Sequence, residues 1–144
     1  MKYFYSLILL LVINICFAQP SNDDCSGLID LGIAPYCEET IYTNENATPT
    51  DIGNDNVPDC FIGGAPQNDV WFQFQSSDTI FDYTLSIIPT EDGVNEALNN
   101  VQIAIYRGAC LEDNLFLNAC GTGEINEEII SLDLINLTPN ELYF

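Results

Sequence analysis

The chain has 144 residues, and its 22 Asp and Glu side chains stand against two basic side chains and no His, giving a formal net charge of -20. Hydrophobic residues make up 47%, enough for the packed core of one domain. A chain with almost no cations cannot neutralise a phosphate backbone or an anionic membrane, so nucleic acid and membrane surfaces are excluded as partners. Without His, catalytic pairs of Ser or Cys with His and histidine-ligated metals are excluded as well.

The first 18 residues have the three parts of a secretory signal peptide. Lys2 supplies the positive charge, an apolar stretch runs from Leu7 to Ile15, and Ala18 ends a plausible cleavage site. The apolar stretch is much shorter than the roughly 20 residues that span a bilayer, which argues against an uncleaved anchor. The bulky Ile15 before Cys16 argues against lipidation of that cysteine. The sequence therefore predicts export of one domain, residues 19–144, to the extracellular space or cell surface without membrane insertion.

Short predicted strands follow, separated by turns rich in Asn, Asp, Gly and Pro. The clearest strand is Val70–Gln75, where the apolar residues at positions 70, 72 and 74 alternate with Trp71 and two Gln residues. Residues 48–68 form a long polar loop. Other strands are predicted at residues 28–33, 39–46, 81–88, 101–105, 115–119 and 129–137, with a turn at Arg107–Gly108. This pattern is typical of an all-β protein, and it predicts an antiparallel β-sandwich.

The C-terminal residues Glu141–Phe144 begin another apolar strand, and the sequence stops there. A strand that begins without a partner leaves its backbone hydrogen bonds unpaired. The sequence therefore predicts that the last strand of the sandwich is missing. The alternative is a short edge strand that ends the domain.

Several short motifs follow one another in a characteristic order. They are Ser21–Cys25, Asn46–Thr48, Pro58–Cys60, Asn68–Phe74, Ile103–Cys110, Leu117–Cys120 and Leu137–Phe144. This order resembles that of a secreted module common in Bacteroidetes surface proteins. The resemblance implies a jelly-roll β-sandwich similar to CUB-like and pre-peptidase C-terminal-like domains. It also implies further domains in a longer secreted protein, and a final strand that often carries one more Cys.

Five cysteines remain after removal of the leader, and in an exported protein they are expected to form disulfide bonds. The odd number requires a free thiol or a partner outside the chain. The resemblance implies the pairs Cys110–Cys120 and Cys37–Cys60, and it leaves Cys25 for the missing strand. The pair Cys25–Cys37 with Cys60 free is an alternative that the sequence leaves open.

Oxygen-rich side chains in the long polar loop are candidate calcium ligands. Asp51, Asp55 and Asp59 place carboxylates in a flexible turn, and hard oxygen ligands suit Ca²⁺. The two Asp residues at 23–24 and Asp69 form a second, dispersed candidate set. Neither set has the spacing of an EF-hand. The alternative is a solvated acidic loop whose Asp side chains support turns.

Two further side chains are candidates for ligand binding. Trp71 is the single Trp, and it could stack on a sugar at the surface or fill the core with its N–H bonded to the backbone. Arg107 is the only basic residue outside the leader. It is expected to pair with a carboxylate such as Glu112, with an acidic ligand as the alternative.

Carboxylates are the only abundant reactive groups in this chain. Two of them at a suitable separation can hydrolyse a glycoside without His, but no pocket-forming motif accompanies them here. We therefore expect a non-catalytic module that binds an extracellular glycan or surface protein within a larger secreted protein. A carboxylate-based hydrolase and a purely structural spacer are the alternatives.

Overall fold

The computed structural model describes residues 18–37, 40–53, 56–61, 63–89, 101–110, 114–123 and 129–144. This part of the chain is all-β, with a 3-10 turn at Cys25–Gly27. The strands are β1 (Ile29–Ile33), β2 (Phe72–Gln75), β3 (Tyr83–Ile87), β4 (Gln102–Gly108), β5 (Leu115–Thr122), β6 (Ile130–Leu134) and β7 (Leu142–Tyr143). Within these residues no helix has the length and apolar character needed to cross a membrane.

The strands form two sheets. The larger sheet has the order β1-β2-β7-β4-β5, and the smaller one pairs β3 with β6. All pairs are antiparallel except β1 with β2, which is parallel. This arrangement confirms the predicted all-β class and is consistent with a β-sandwich.

The space between the two sheets holds the first of two apolar clusters, here called the inner cluster. Its fully buried members are Ile103, Ile105, Ile130, Leu134, Leu137 and Tyr143. The predicted alternation of β3 is confirmed, because Tyr83, Leu85 and Ile87 pack against this cluster while the two residues between them are exposed. Apolar side chains on one side of each strand therefore hold the sheets together, as a period of two requires.

A second apolar cluster, the outer cluster, covers the opposite face of the large sheet. It consists of Cys25, Ile52, Trp71, Tyr106 and Leu115. Along β4 the side chains divide between the two clusters, since Ile103 and Ile105 face the small sheet whereas Ala104 and Tyr106 pack in the outer cluster. Segments from the N-terminal part and from the long loop therefore bury the face of the large sheet that the small sheet does not contact.

Two sequence predictions about strands are wrong. Residues 40–46 form no strand, because the backbone at Asn46 takes the left-handed conformation (φ 61) in a turn closed by the hydrogen bond from Ala47 N to Asn44 O. Tyr42 instead packs its ring edge-on against Phe72 with centroids 4.8 Å apart. The predicted turn at Arg107–Gly108 is part of β4, which extends to Gly108.

The C-terminal segment lies inside the large sheet and not at its edge. Tyr143 pairs with Phe74 of β2 on one side and with Arg107 of β4 on the other, and its side chain is 1% exposed. Phe144 N donates to Tyr106 O at 2.9 Å, and Tyr106 N donates to Phe144 O at 2.8 Å. The expectation that this strand lacks partners is thus contradicted, while a further strand beyond it stays a prediction.

Candidate functional site

Two carboxylates, those of Asp23 and Asp69, accept hydrogen bonds from the long loop. Asp23, 8% exposed, accepts from the Thr48 backbone N at 2.5 Å and from Thr48 Oγ1 at 2.7 Å. The carboxylate of Asp69 accepts from Thr50 N at 2.9 Å. Both Asp23 oxygens are used by one residue of the loop, so this carboxylate fixes the loop against the N-terminal segment.

Trp71 is at the centre of the same network. Its indole Nε1 donates to Asp69 Oδ2 at 2.8 Å and to Thr50 Oγ1 at 2.9 Å. Its backbone N donates to Asn22 O, and its backbone O accepts from Asn22 Nδ2 and Ile29 N. The side chain is 7% exposed and belongs to the outer cluster, so it packs in the core and presents no surface on which a sugar could stack.

The disulfide pairing implied by the resemblance is wrong. The structure pairs Cys25 with Cys110 and Cys60 with Cys120. Cys110 and Cys120 are each bonded to another cysteine, and Cys120 lies opposite Ala104, four residues before the end of β4. The observed bonds instead attach the N-terminal segment and the long loop to the β4–β5 hairpin.

The remaining two cysteine predictions change with that pairing. Cys25 is not left for a missing strand, because its Cα lies 5.5 Å from that of Cys110 in a bond that closes 85 residues of chain. Cys37 does not pair with Cys60, and in the part of the chain described above it is the only free thiol and is exposed. The alternative pair Cys25–Cys37 is contradicted as well.

Of the predicted calcium ligands Asp51, Asp55 and Asp59, the two that the structure describes belong to no cluster of possible metal ligands. Asp51 is exposed and its Oδ1 accepts from Gly53 N at 3.1 Å, which is the turn geometry expected of a solvated loop. Asp59 is exposed too, whereas Asp55 lies outside the described residues. Across the ranges that the structure describes, no group of three or more Cys, Asp or Glu residues is arranged to hold a metal ion.

Two carboxylates border a groove on the small sheet. Asp82 Oδ1 accepts from Asn136 N at 2.8 Å, and Asp133 Oδ1 accepts from Thr84 Oγ1 at 2.9 Å. Each carboxylate therefore holds two neighbouring parts of the chain together. Both acidic side chains on this surface therefore have a structural role in the fold.

A different surface, of which the sequence indicates only Arg107, combines an aromatic ring, a cation and a carboxylate. Arg107, Gly108, Phe116 and Glu141 line an open depression of about 250 Å³. The guanidinium carbon of Arg107 lies 6.0 Å from the centre of the Phe116 ring, within the range of a cation–π interaction. The Phe116 side chain is 56% exposed. We call this surface the Phe116 depression.

The position of the Phe116 depression follows from the pairing of β4 with β5. Residues 102–105 pair with β5 in one register, and residues 106–108 pair one residue out of step, because β5 carries Asn118 as an extra residue. This bulge places Phe116 directly opposite Arg107. Since the adjacent Leu115 points into the outer cluster, Phe116 points to the opposite face of the sheet, where the small sheet leaves it exposed.

Glu141, which lines the depression, lies in a turn that is held by a buried hydroxyl. Ser76, 1% exposed, accepts from Glu141 N at 3.0 Å through Oγ and donates from Oγ to Thr138 O at 2.5 Å. Its backbone N donates to Glu141 O at 2.9 Å. The turn that carries Glu141 is therefore fixed by three hydrogen bonds to one residue. The predicted partner of Arg107, Glu112, lies outside the described residues.

Gly108 forms the floor of the depression, and its backbone requires glycine. Its φ of 117° is one that side chains rarely adopt, and a Cβ there would collide with the carbonyl oxygen of Asn114. The same carbonyl accepts from Ala109 N at 3.1 Å and closes the hairpin. The absence of a side chain at this position therefore allows the hairpin to close beside Phe116.

Comparison with known proteins adds no relative, since no family, no curated protein and no solved structure matches the chain. The likeness to secreted Bacteroidetes modules therefore depends on the short motifs and on an all-β structure that is compatible with it.

Proposed function

We propose that this chain is a non-catalytic, exported, acidic β-sandwich module that binds an extracellular ligand and belongs to a larger secreted protein. The observation that carries the proposal is the Phe116 depression, where an exposed aromatic ring lies beside a basic and an acidic residue. Ligand sites are typically concave surfaces lined by apolar or aromatic side chains, with a few polar groups that orient the ligand. Phe116 thus takes the role that the sequence offered for Trp71.

Export is supported by the two disulfide bonds. Cys25–Cys110 and Cys60–Cys120 indicate folding in an oxidising, extracellular environment. The proposed signal peptide, residues 1–18, lies almost wholly outside the described residues, so cleavage after Ala18 remains part of the proposal.

A role in binding is favoured over hydrolysis by the use of the carboxylates. Asp23, Asp69, Asp82 and Asp133 all accept hydrogen bonds that join separate segments of the fold. A general acid needs a carboxyl that is free to approach its substrate, with a second carboxyl at a matched distance. These four side chains serve the fold instead.

A binding panel tests the proposal. The secreted chain is labelled at the exposed thiol of Cys37 and applied to arrayed glycans and to extracellular surface proteins. We expect at least one ligand whose binding falls at least tenfold in Phe116→Ala. Phe81→Ala is the matched control, because Phe81 is an exposed aromatic (43%) outside the depression, and it should bind like the parent. Equal loss in both variants, or no ligand at all, would favour the spacer, and glycoside turnover would favour the hydrolase.

A further inference from the structure

We propose that the Phe116 depression accepts a neutral sugar ring, which stacks on Phe116 and exchanges hydrogen bonds with Arg107 and Glu141. This inference rests on the proposed function and names the ligand class of the same site. It follows from the size of the depression, its charge balance and the hydrogen-bonding capacity of its lining.

The size indicates a ligand of one ring. The depression measures about 250 Å³, and four of the described residues line it. Pockets that enclose drug-sized ligands measure about 300–1,000 Å³, so this one is too small and open to take a large ligand whole. A single pyranose ring at the end of a glycan fits it, with the rest of the glycan in solvent.

The charge balance selects against ionic ligands. Among the described residues that line the depression, Arg107 and Glu141 carry opposite charges that offset each other. The chain as a whole has a net charge of -20, and its field repels anions such as uronates or sulfated sugars. A cationic ligand on Phe116 would lie next to the Arg107 guanidinium, whose positive charge repels it, whereas a neutral ring meets no such repulsion.

The hydrogen-bonding groups of the lining suit hydroxyls. Arg107 has only donors and an ionised Glu141 has only acceptors, so a ligand that satisfies both must donate and accept. Neighbouring sugar hydroxyls do both, while the C–H face of the same ring is apolar enough to cover Phe116. Because the turn before β7 is fixed by Ser76, the Glu141 backbone is already in place before a ligand arrives.

The test uses defined monosaccharides and the full secreted chain. Saturation-transfer NMR with methyl glucoside, methyl galactoside and methyl mannoside is compared with glucuronate and glucosamine. A single ring in an open site should bind with a dissociation constant on the order of 1 mM. We expect at least one neutral methyl glycoside to bind at least threefold more tightly than glucuronate.

Variants decide whether that binding occurs in the depression. Phe116→Ala should weaken binding of the neutral sugar at least tenfold, Phe116→Tyr should retain it, and Phe81→Ala should leave it unchanged. Glu141→Gln makes the depression positive, so it should raise the affinity for glucuronate relative to the neutral sugar at least threefold. Far-UV circular dichroism and Trp71 fluorescence confirm that each variant is folded.

The outcomes separate this inference from the proposed function. Tighter binding of glucuronate by the parent, neutral-sugar binding that Phe116→Ala leaves intact, or an unchanged ratio in Glu141→Gln would each overturn the neutral-sugar assignment. A protein ligand that depends on Phe116, without any sugar binding, would overturn it too while the proposed function stands. If nothing binds through Phe116, both are wrong.

Discussion

Asp69 and Trp71, two residues apart at the start of β2, are joined by a hydrogen bond of 2.8 Å from the indole Nε1 to Oδ2. The other Asp69 oxygen accepts from Thr50 N at 2.9 Å. One carboxylate thus fixes both the single Trp and the long loop that packs over it, and both of its acceptor oxygens are used.

Replacing Asp69 with Asn should destabilise the fold. An amide retains one acceptor oxygen and places an NH₂ group against either the indole N–H or the backbone N–H of Thr50. We expect the free energy of unfolding to fall by about 1–3 kcal/mol, the cost of a part-buried donor left without an acceptor. This change is measured by urea denaturation, with the fluorescence of Trp71 as the signal of unfolding.

The control for this variant is Asp51→Asn. It changes the net charge by the same amount, but Asp51 is exposed and accepts only from Gly53 N in a local turn. Its effect should stay within about 0.5 kcal/mol, as is usual for surface substitutions. If the two variants shift the midpoint of urea denaturation equally, the hydrogen bond between Asp69 and Trp71 contributes nothing to stability beyond the effect of the charge.

The disulfide between Cys25 and Cys110 should contribute more to stability than any single hydrogen bond. It closes 85 residues, and loops of that length correspond to about 4–5 kcal/mol in the chain-entropy treatment. The double variant Cys25→Ser/Cys110→Ser should therefore have a free energy of unfolding several kcal/mol below that of the parent, as measured by urea denaturation. Cys37→Ser should have the same free energy of unfolding as the parent.

Mapping of the intact protein should show directly which cysteines are bonded. Trypsin is of little use on a chain with two basic residues, but cleavage at Asp separates all five cysteines of the exported part. Non-reduced digests should contain Cys25 with Cys110 and Cys60 with Cys120, and Cys37 alone should react with iodoacetamide. A Cys110–Cys120 peptide would contradict the hairpin register.

Strand positions can largely be predicted, because the alternation of apolar and polar residues along a strand shows which of its side chains are buried. Alternation at residues 83–87 and 103–105 identifies the side chains that face the small sheet. The strand predicted at residues 39–46 is absent from the described residues 40–46, which end in the turn that includes Asn46.

Sheet order and disulfide pairing were not predictable, because they depend on contacts between distant segments. The pattern at Glu141–Phe144 identifies a strand but not its place between β2 and β4. In the same way, ten residues separate Cys110 from Cys120 in sequence, yet the hairpin holds them apart. Each cysteine instead meets a partner at least 60 residues away.

Of the candidate site, the sequence indicates only Arg107, for a similar reason. Trp71 was the natural candidate for stacking because it is a lone aromatic on the polar side of a strand. That face of the large sheet is covered by the outer cluster, which the alternation alone does not reveal. Phe116 meets Arg107 only because of the one-residue bulge at Asn118.

Gly108→Ala should destabilise the hairpin more than glycine substitution elsewhere. The new side chain must adopt a φ of 117° and also displace the Asn114 carbonyl. Strain of this kind costs about 1–3 kcal/mol, and the collision adds to it. Gly64→Ala is the control, since Gly64 has a φ of 93° but open space around its Cβ position. Urea denaturation measures the free energy of unfolding of both variants. If Gly108→Ala lowers it no more than the control does, the hairpin accommodates a side chain at position 108.

Tyr106 gives the protein a predicted stability limit in alkaline solution. Burial raises the pKa of its phenol from 10.0 to about 12, and the negative charge of Asp69 acts in the same direction. The hydroxyl donates to Asn56 O at 2.9 Å, and the side chain is 3% exposed. The folded state therefore holds a proton that the unfolded chain gives up at lower pH.

Below pH 10 this group should therefore leave the free energy of unfolding unchanged. As the pH rises from about 10 to about 12, the free energy of unfolding should fall by on the order of 2–3 kcal/mol. Tyr106→Phe costs about 1 kcal/mol at neutral pH for the lost hydrogen bond, but its unfolding free energy should decline less steeply above pH 10. Tyr36→Phe, at an exposed position, should keep the parent slope. All three proteins carry Cys37→Ser, so that no thiolate attacks the disulfides during urea denaturation at each pH. Equal slopes for the parent and Tyr106→Phe would show that the folded state does not hold this proton.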